Sequence, residues 1–351
     1  MTAAAEPAVR IEPETRAQLI RLTYGYMASR MIHTAVRLGL PDLLDGVDRD
    51  SVELAERIGA HAPSLHRLLR ALAGLGLLAE TEPGRFRLAP LGAPLSRRAE
   101  HRTTALTELF LSAEFWDSWQ DLEHSIRTGR AAFDHVHGRP FFAYLDEHPA
   151  LLEVFNEAMA ENARFEAPRF VSGYDFGRYP ELLDVGGGNG ALLHAILAAH
   201  PGSRGIIFET PTVVEQARAA TVTAGLADRC RVIDGDFFVG VPAEADAVLL
   251  KSVMHNWDDD RCVTILRNCR PAIRPGGRLL LLEPVLPTPM QSQTCVESVL
   301  SDINMLALTA GGFERTEDTF RRILDAAGYT LRAISATIAA TDFRVIEAEP
   351  I

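Results

Sequence analysis

Apolar positions along the chain follow two different periods, and the change between them falls near Tyr179. Before that point, apolar residues recur at spacings of three and four, as they do from Leu19 to Leu38, which is typical of amphipathic helices. After it, short apolar runs such as ELLDV, GIIFE and ADAVLL alternate with helical stretches. This alternation predicts a parallel sheet wrapped by helices, a fold class that binds ligands at the carboxyl ends of its strands.

Residues 51–98 have the pattern of helix, turn, helix and two short strands, which is the order of a winged helix. We expect Ser51 and Ser64 to cap the two helices. A winged helix can bind DNA or can serve dimerisation. The segment holds seven Arg and four Glu, whereas DNA binding would need a denser basic face on the second helix. A structural or dimerising use of the same fold is therefore the favoured interpretation.

The segment from residue 105 to residue 165 is predicted to be helical and carries clustered aromatic residues. Trp116 and Trp119 stand three apart and share one helix face. Core packing is the commoner meaning of such aromatics, but some of them, with Phe115, could line a pocket. We expect three parts in the chain: a helical, winged-helix-like domain (1–100), linking helices (101–170) and an α/β domain with a parallel sheet (171–351).

Composition narrows the classes of partner. The chain has 351 residues and a formal net charge of −12, and this acidity argues against a nucleic-acid partner. No apolar run approaches the ~20 residues that a membrane span needs, and the N-terminal segment has no apolar signal core. We therefore expect a cytoplasmic protein with no membrane partner. The cysteines form no CxxC pair and are expected to be reduced thiols: Cys230, Cys262, Cys269 and Cys295.

The stretch LLDVGGGNGALL lies where the first predicted strand of the sheet meets the next helix. Gly186, Gly188 and Gly190 let the backbone turn tightly and approach a ligand closely, and their spacing differs from the dinucleotide fingerprint. Asp184 stands just before this glycine loop. A carboxylate there is poorly suited to a pyrophosphate, and it suits a ligand that carries a positive charge or an amine.

The next two predicted strands end in further acceptors. Glu209 stands at the tip of the second strand, where it can accept both hydroxyls of a ribose. Asp236 follows the third strand and can accept from an exocyclic amine, while Phe237 can stack on a purine. An adenosine that carries an amine and no phosphates describes S-adenosylmethionine, which we predict as the cofactor.

The stretch KSVMHNWDDD places His255 just past another predicted buried strand. Taken alone, His255 is better explained as a helix-start residue bonded to the backbone. Beside a cofactor loop, a histidine at the carboxyl end of a parallel strand is instead a candidate general base. The acids from Asp258 to Asp260 are better explained as charges that suit the helix dipole. No set of clustered Cys and His ligands accompanies His255, so we predict no metal.

The motifs LLDVGGGNG, GDFF, KSVMHNWDDD, RPGGRLLLLEPV and GGFERT occur in this order. In them the chain resembles the class I S-adenosylmethionine-dependent O-methyltransferases of the plant caffeate and isoflavone type, and in particular their bacterial branch, which acts on natural products such as anthracyclines (carminomycin), mitomycins and phenazines. The likeness covers nearly the whole chain. It implies that residues 1–100 form a dimerisation domain, that residues 101–170 contribute to the acceptor pocket and that residues 171–351 form a Rossmann-like catalytic domain. It implies methylation of a hydroxyl, expected to be phenolic, on an aromatic secondary metabolite, with S-adenosylhomocysteine as product and a homodimer formed through the N-terminal domain.

Matching these motifs position by position implies three groups of site residues. The catalytic group is a base with two acids beside it, and which acid orients the base stays open: His255, Glu283 and Glu314. The cofactor site is implied at Asp184, Gly186, Gly188, Glu209, Asp236, Phe237, Lys251 and Ser252. The acceptor pocket is expected at Phe155, Met159, Met254, Trp257, Asp302, Asn304 and Met305. One departure is Asn256, where many relatives have aspartate.

Two alternatives stay open. One is a relative that keeps S-adenosylmethionine as a structural cation and performs hydroxylation, decarboxylation or cyclisation. An intact His255 with two candidate acids favours methyl transfer over such chemistry. The other is a winged-helix regulator that senses S-adenosylmethionine, which a gel shift on genomic fragments would detect.

Overall fold

The computed structural model describes residues 12–290 and 296–351, so the predicted thiol of Cys295 lies outside the described residues. The chain divides into two compact units, and the division falls between Leu111 and Ser112. The division into three parts at residues 100 and 170 stays a prediction about their roles.

The first unit consists of helices and a small antiparallel sheet. Its helices are α1 (Pro13–Thr23), α2 (Gly25–Arg37), α3 (Leu40–Leu44), α4 (Ser51–Ile58), α5 (Ala62–Gly74) and α6 (Thr104–Phe110). Its strands are β1 (Arg49–Asp50), β2 (Leu78–Glu82) and β3 (Arg85–Leu88), in the order β1-β3-β2. The predicted helix, turn, helix and two-stranded wing is therefore confirmed as α4, α5, β2 and β3. Leu54, Leu69 and Phe86 are fully buried in its core.

The two predicted helix caps are wrong. Asp50 rather than Ser51 precedes α4, and its Oδ1 accepts hydrogen bonds from two backbone N–H groups of the first turn, at 2.8 and 3.4 Å. Helix α5 begins after His61, and Ser64 lies inside the first turn, where its Oγ contacts His61 Nδ1 at 3.0 Å. The aspartate lies one residue further from the helix, in extended backbone, so its carboxylate reaches back over the free N–H groups.

The second unit is an α/β structure. Its helices are α7 (Ala113–Gln120), α8 (Leu122–Thr128), α9 (Ala132–His137), α10 (Phe141–Glu147), α11 (Pro149–Gly173), α12 (Ala191–Ala199), α13 (Pro211–Thr223), α14 (Asp259–Cys269), α15 (Val296–Leu308) and α16 (Glu317–Ala327). Its strands are β4 (Glu181–Val185), β5 (Arg204–Glu209), β6 (Cys230–Asp234), β7 (Ala245–Lys251), β8 (Ile273–Leu286), β9 (Arg315–Thr316), β10 (Tyr329–Ile334) and β11 (Phe343–Pro350).

The strand order of this unit creates a crevice. The strands follow the order β10-β11-β8-β7-β4-β5-β6, and β9 pairs with β8. Strands β4 to β8 are parallel, while β11 is antiparallel to both of its neighbours. From β4 the chain builds outward through β5 and β6, then returns to β7 on the other side of β4. Such a reversal opens a crevice at the carboxyl ends of β4 and β7, where ligands bind.

The sheet is buried on both faces. Successive residues of a strand point to opposite faces, so Leu183 and Val185 pack in one apolar cluster while Leu182 and Ile207 pack in the other. All four are fully buried. This explains why the strands read as continuous apolar runs in the sequence. Three thiols lie in these clusters, free and buried: Cys230, Cys262 and Cys269.

Among the residues that the structure describes, no helix combines the length and the apolar character that a membrane crossing needs.

Replacement of Asp50 by alanine tests the cap of α4. We expect Asp50→Ala to lower the free energy of unfolding by about 1 kcal/mol, because two N–H groups lose their acceptor. Ser64→Ala is the control and should change it by less than about 0.5 kcal/mol, as for other surface substitutions. Chemical denaturation of both variants measures the difference, and equal losses would contradict the assignment.

Candidate active site

The glycine loop joins β4 to α12 at the crevice, and its backbone is left-handed at three positions. Gly186, Gly188 and Gly190 have φ values of 70°, 58° and 83°, a region that side chains with a Cβ rarely adopt. A Cβ at Gly190 would lie 2.4 Å from Ile207, so this glycine also lets the helix approach the sheet. A Cβ at Gly188 would meet no atom within 4 Å. The loop therefore presents open space beside Gly188 on the ligand side.

Two acceptors predicted for a nucleoside lie at the ends of the next strands. Glu209 is the last residue of β5, and its Oε2 accepts the N–H of Gly188 at 2.9 Å while its Oε1 accepts that of Thr210 at 2.7 Å. These two bonds fix the carboxylate against the loop. Asp236 follows β6, and the next residue, Phe237, lies near the loop: a Cβ at Gly186 would be 3.9 Å from its ring.

Asp184 and Lys251 point to one face of the sheet behind the glycine loop, and Glu166 lies on the helix that packs against this face. Asp184 in β4 is 2% exposed, and burial, with the charge of Glu209 as a smaller cause, raises its pKa to about 7, although Lys251 acts in the opposite direction. Lys251 ends β7 and forms an ion pair with Glu166 of α11 at 2.6 Å. Lys251 is thus paired with α11. A positively charged ligand beside Asp184 would favour the ionised form of this carboxyl group.

The turn after β7 carries the candidate base. Ser252 has a φ of 54°, and its carbonyl accepts a hydrogen bond from Nδ2 of Asn256 at 3.0 Å. A 3-10 turn, Met254–Asn256, follows. An ionised aspartate at this position could only accept hydrogen bonds, so this bond requires the amide group of Asn256. Asn256 therefore closes the turn that holds His255.

His255 and Glu314 are joined through one carboxylate oxygen. Nδ1 of His255 lies 2.9 Å from Oε1 of Glu314, and the glutamate side chain is 1% exposed while the histidine is 17% exposed. The same oxygen accepts the hydroxyl of Ser301 at 2.7 Å. Because an ionised carboxylate only accepts hydrogen bonds, Nδ1 carries the proton. The opposite nitrogen, Nε2, is then the basic one.

The carboxylate of Glu283 bonds the backbone of the same turn. This residue of β8 is 1% exposed, and its Oε1 accepts the N–H groups of Val253 and Met254 at 2.9 and 2.8 Å. Its Oε2 is buried and has no hydrogen-bond partner among the residues that the structure describes. Burial raises the pKa of Glu283 to about 7, with His255 opposing and Glu314 adding to the rise. Of the two acids, Glu314 therefore bonds the imidazole ring and Glu283 holds the backbone.

The pKa of His255 reflects a competition between burial and these acids. Burial disfavours the imidazolium, and Lys251 also lowers the pKa. The charges of Glu283 and Glu314, together with the hydrogen bond that His255 donates to Glu314, outweigh them, so the pKa lies above its ordinary value. Because only neutral imidazole can accept a proton, a base at this position would lose function as the pH falls through this raised pKa.

Arg315 fixes the carbonyls on either side of His255, a role that the sequence analysis missed. It is 1% exposed. Its Nη1 and Nη2 donate to the carbonyls of Met254 and Trp257, each at 2.7 Å, and its Nε donates to Asp259 at 3.0 Å. The motif GGFERT thus supplies two contacts in a row, with its glutamate on the ring and its arginine on the backbone. In the sequence, the only signal for Arg315 is its place in this motif, which does not show that its guanidinium is buried.

An aromatic surface connects the turn that holds His255 with the residues expected around the adenine. The ring centroid of Trp257 lies 6.2 Å from Phe142, 4.9 Å from Phe238 and 6.3 Å from Phe237. Phe155 lies 6.3 Å from Phe142. Trp257 and Phe155 were expected at the acceptor pocket, whereas Phe142 was not singled out from its FF pair. The surface runs from α10 to the residues expected around the adenine.

The remaining expected pocket residues are distributed differently. Asn304 of α15 is 8% exposed and accepts a hydrogen bond from Nε1 of Trp119 at 3.0 Å. Asp302 accepts the N–H of Glu314 at 2.9 Å. Met305 is half-buried on the same helix and Met159 is exposed on α11. Met254 is fully buried in the core and contributes to the site through its backbone.

His255, Glu283 and Glu314 offer ligand atoms within 4.8 Å of one another, a spacing that could hold a cation. One oxygen of each acid is already engaged, by two N–H groups in Glu283 and by Ser301 and His255 in Glu314. A site without metal stays a prediction.

The fold and the site define a class: an α/β protein with a glycine loop at the crevice of its sheet and a histidine beside it that is bonded to a buried carboxylate. Residues 119–330 match the family model described as an O-methyltransferase domain. Residues 20–97 match the model described as an O-methyltransferase dimerisation domain.

Two comparisons extend over nearly the whole chain. A phenazine O-methyltransferase of Lysobacter antibioticus is 38% identical over 333 residues, which are 95% of this chain and 96% of the relative. The solved structure of a mitomycin 7-O-methyltransferase has a TM-score of 0.87 at 34% identity and covers 96% of this chain and 98% of its own. The chain therefore belongs to the O-methyltransferase family and is a methyltransferase enzyme.

Two further similarities bear on chemistry. An O-methyltransferase from neocarzinostatin biosynthesis, solved in complex with S-adenosylmethionine and 2-hydroxy-5-methyl naphthoic acid, has a TM-score of 0.76 at 29% identity and covers 92% of this chain and 96% of its own. An aclacinomycin 10-hydroxylase of Streptomyces purpurascens is 37% identical over 325 residues, covering 90% of this chain and 86% of the relative. Similar chains thus include one named for a reaction other than methylation.

Replacement of Arg315 tests how the turn is held. We expect Arg315→Met to lower the free energy of unfolding by roughly 2–4 kcal/mol, because buried carbonyls and Asp259 lose a charged donor. Arg322→Met is the matched control, since Arg322 also faces Asp259, at 3.9 Å, but its side chain is 70% exposed. It should change stability by no more than about 0.5 kcal/mol. Thermal and chemical denaturation measure both variants, and an equal loss of stability in Arg315→Met and Arg322→Met would refute the assignment.

Proposed function

We propose that this protein is an S-adenosylmethionine-dependent O-methyltransferase that methylates a phenolic hydroxyl of an aromatic secondary metabolite, with His255 as general base. The observation that carries the proposal is the bond between Nδ1 of His255 and the buried carboxylate of Glu314, at the carboxyl edge of the sheet. It leaves Nε2 free to accept a proton in the crevice that also holds the glycine loop.

The residues around the loop fit the cofactor. Phosphate-binding loops surround an anion with N–H groups and a cation. Here Asp184 and Glu209 lie behind the loop, and the nearby cation, Lys251, is paired with Glu166. Carboxylates with open space beside Gly188 suit ribose hydroxyls and a ligand cation. S-adenosylmethionine, when bound, supplies a methyl group on a sulfonium and a neutral thioether as leaving group.

Roles within the cofactor site follow from these positions. Glu209 would accept the ribose hydroxyls through the lone pairs that its two N–H bonds leave free. Asp236 would accept the adenine amine, and Phe237 would stack on the base. Asp184 would interact with the positive charge of the methionine part, with Ser252 and Lys251 forming the wall of the crevice beside it.

His255 would raise the nucleophilicity of the acceptor. A free phenol has a pKa near ~10 and is a weak nucleophile at neutral pH. Neutral Nε2 can take the phenol proton as the oxygen approaches the methyl carbon, while Glu314 stabilises the imidazolium that forms. The proton then resides on Nε2 until it leaves to solvent. Glu283 and Arg315 hold the turn so that the ring keeps this direction.

The acceptor would bind along the aromatic surface. Phe155, Trp257 and the added Phe142 provide flat apolar contacts that suit an aromatic ring. Asn304, held by Trp119, and Met305 would form the wall on α15. The neocarzinostatin enzyme, whose structure contains a hydroxylated naphthoic acid, supports an acceptor of this chemical type.

A homodimer formed through the first unit completes the proposal. The dimerisation model covers residues 20–97. Helices α1 and α2 expose large apolar side chains, among them Leu19 at 65%, Leu22 at 78% and Tyr26 at 53%. These side chains are many for helices of a single copy, so we expect a second copy of the chain to cover them. Such an acidic chain gives no support for a nucleic-acid partner.

Non-methylating use of the cofactor is the second candidate, because a 37% identical relative is named as a hydroxylase. A labelled methyl group discriminates between the two. Transfer of the label to a phenolic acceptor supports methylation, whereas consumption of an acceptor without transfer supports the alternative.

Replacement of Asp184 tests the charge of the cofactor site. We expect Asp184→Asn to weaken binding of S-adenosylmethionine roughly tenfold, about the value of one charge-assisted contact. Binding of 5′-methylthioadenosine, which has neither sulfonium nor amine, should change little. Calorimetry at pH 6 and pH 8 should show tighter binding at pH 8 for the wild type alone, because Asp184 ionises near pH 7. Equal losses for both ligands would mean that Asp184 only supports the loop.

Replacement of His255 tests the base. We expect His255→Ala to retain cofactor binding and to lose about 10²–10⁴-fold in turnover. His135→Ala is the matched control: that histidine also contacts a carboxylate, Asp121 at 2.7 Å, but lies outside the crevice with 58% of its side chain exposed. A labelled-methyl assay over a panel of phenols measures both. Wild-type turnover in His255→Ala would remove the base from the mechanism.

A further inference from the structure

The carboxylate that bonds His255 has a second partner on α15. Oε1 of Glu314 lies 2.7 Å from the hydroxyl of Ser301 and 2.9 Å from Nδ1 of His255. The next residue, Asp302, accepts the N–H of Glu314 at 2.9 Å. Two successive residues of α15 therefore fix both the side chain and the backbone of Glu314.

The same helix also reaches the expected acceptor pocket. Asn304 lies three residues after Ser301, on the same helix face, and it accepts the indole N–H of Trp119. One face of α15 thus carries a contact to the pocket side and a contact to the carboxylate of the base. Neither the motifs nor the helical pattern of the sequence distinguishes Ser301 from other serines.

We propose that Ser301 is a positioning residue for the proton transfer, because its hydroxyl holds the one Glu314 oxygen that also holds His255 Nδ1. This inference rests on the proposed function of His255 as general base. Ser301 touches neither cofactor nor acceptor in the proposal, and it acts through Glu314 alone.

The hydroxyl should also set how strongly His255 holds a proton. A carboxylate only accepts, so Ser301 must donate, and donation stabilises the negative charge on Oε1. Part of that charge is then unavailable to the imidazolium. The charged groups that face His255 are Glu314, Glu283 of β8 and Lys251 of β7, and Asp302 of α15 faces Glu314.

Removal of the donor should therefore make His255 more basic. Two carboxylates already raise the pKa of His255 against the effect of burial, and Ser301 moderates one of them. In Ser301→Ala, Glu314 would attract the imidazolium more strongly, and a larger fraction of His255 would be protonated at neutral pH. The acidic limb of the rate profile would move upward by roughly 0.5–1 pH unit, a shift consistent with loss of one hydrogen bond to an ionised group.

The chain offers a matched control one turn earlier on the same helix. Ser298 is buried, and its hydroxyl donates to a carboxylate, Asp342, at 2.9 Å. Ser298→Ala removes the same kind of bond from α15 without touching Glu314. It should leave the midpoint of the acidic limb unchanged, even if it lowers the melting temperature.

The experiment measures kcat/KM against pH for wild type, Ser301→Ala, Ser301→Thr and Ser298→Ala, with a labelled methyl group and a phenol that the wild type accepts. We expect the upward shift in Ser301→Ala, a return to the wild-type midpoint in Ser301→Thr, and no shift in Ser298→Ala. Ser301→Cys, a weaker donor of similar size, should shift in the same direction by less. It replaces the alanine variant if that variant does not fold.

A second measurement is independent of turnover. Titration of His255 by NMR with labelled histidine, assigned by comparison with His255→Ala, should show the same shift of its pKa in the dimeric full chain. A midpoint that matches the wild type in Ser301→Ala, by rate or by NMR, would overturn the proposal even if the rate itself fell. Absence of methyl transfer by the wild type would instead refute the proposed function, and the NMR titration would still decide the role of Ser301.

Discussion

The hydrogen bond between His255 and Glu314 joins side chains that are 59 residues apart in the sequence. It is available only because β7 and β9 both pair with β8 in parallel, so that the residues after β7 and those just before β9 lie beside the carboxyl-terminal part of β8. The carboxylate is almost completely buried. A buried charge of this kind is costly unless it is bonded, and the rest of the site can be understood as the set of groups that satisfy it and keep it in place.

Those groups come from several elements. Ser301 and Asp302 of α15 bond Glu314, and Arg315 bonds the carbonyls around the base. Glu283 fixes the start of the turn from the sheet side. His255 is therefore held by its ring and by its backbone independently. This arrangement limits rotation of the imidazole, as the proposed proton transfer requires, because such a transfer depends on a narrow range of distances and directions.

The two faces of the sheet divide the chemistry between them. Asp184 and Lys251 point to the face that α11 and α12 cover, while Glu283 points to the face that carries α14 and α16. The alternation of side chains along a strand enforces this division. The acids proposed for the cofactor site and those beside His255 are thus separated by the sheet. Burial raises the pKa of both Asp184 and Glu283, and the charge that adds to the rise is that of Glu209 for Asp184 and that of Glu314 for Glu283. The aromatic surface around Trp257 connects both regions on the open side.

Several features were determined by the sequence by itself. The change of apolar period predicted helices followed by a parallel α/β unit, because burial on both faces of a sheet requires continuous apolar runs. Chain order placed Glu209 at the tip of β5 and His255 just after β7, since motifs adjacent to strand ends remain adjacent in any parallel sheet. The predicted caps of α4 and α5 were wrong, because a shift of one residue in α4 and of three in α5 decides which side chain faces the free N–H groups.

Only the tertiary structure decided which partners those residues have. The sequence left Glu283 and Glu314 as equal candidates, whereas the fold brings one to the imidazole and the other to the backbone. Ser301 carried no signal that separated it from other serines, and Arg315 was marked only by its place in the motif GGFERT. Their roles depend on contacts between segments far apart in the chain, and local periodicity holds no information about such contacts because it reports only which face of an element is buried.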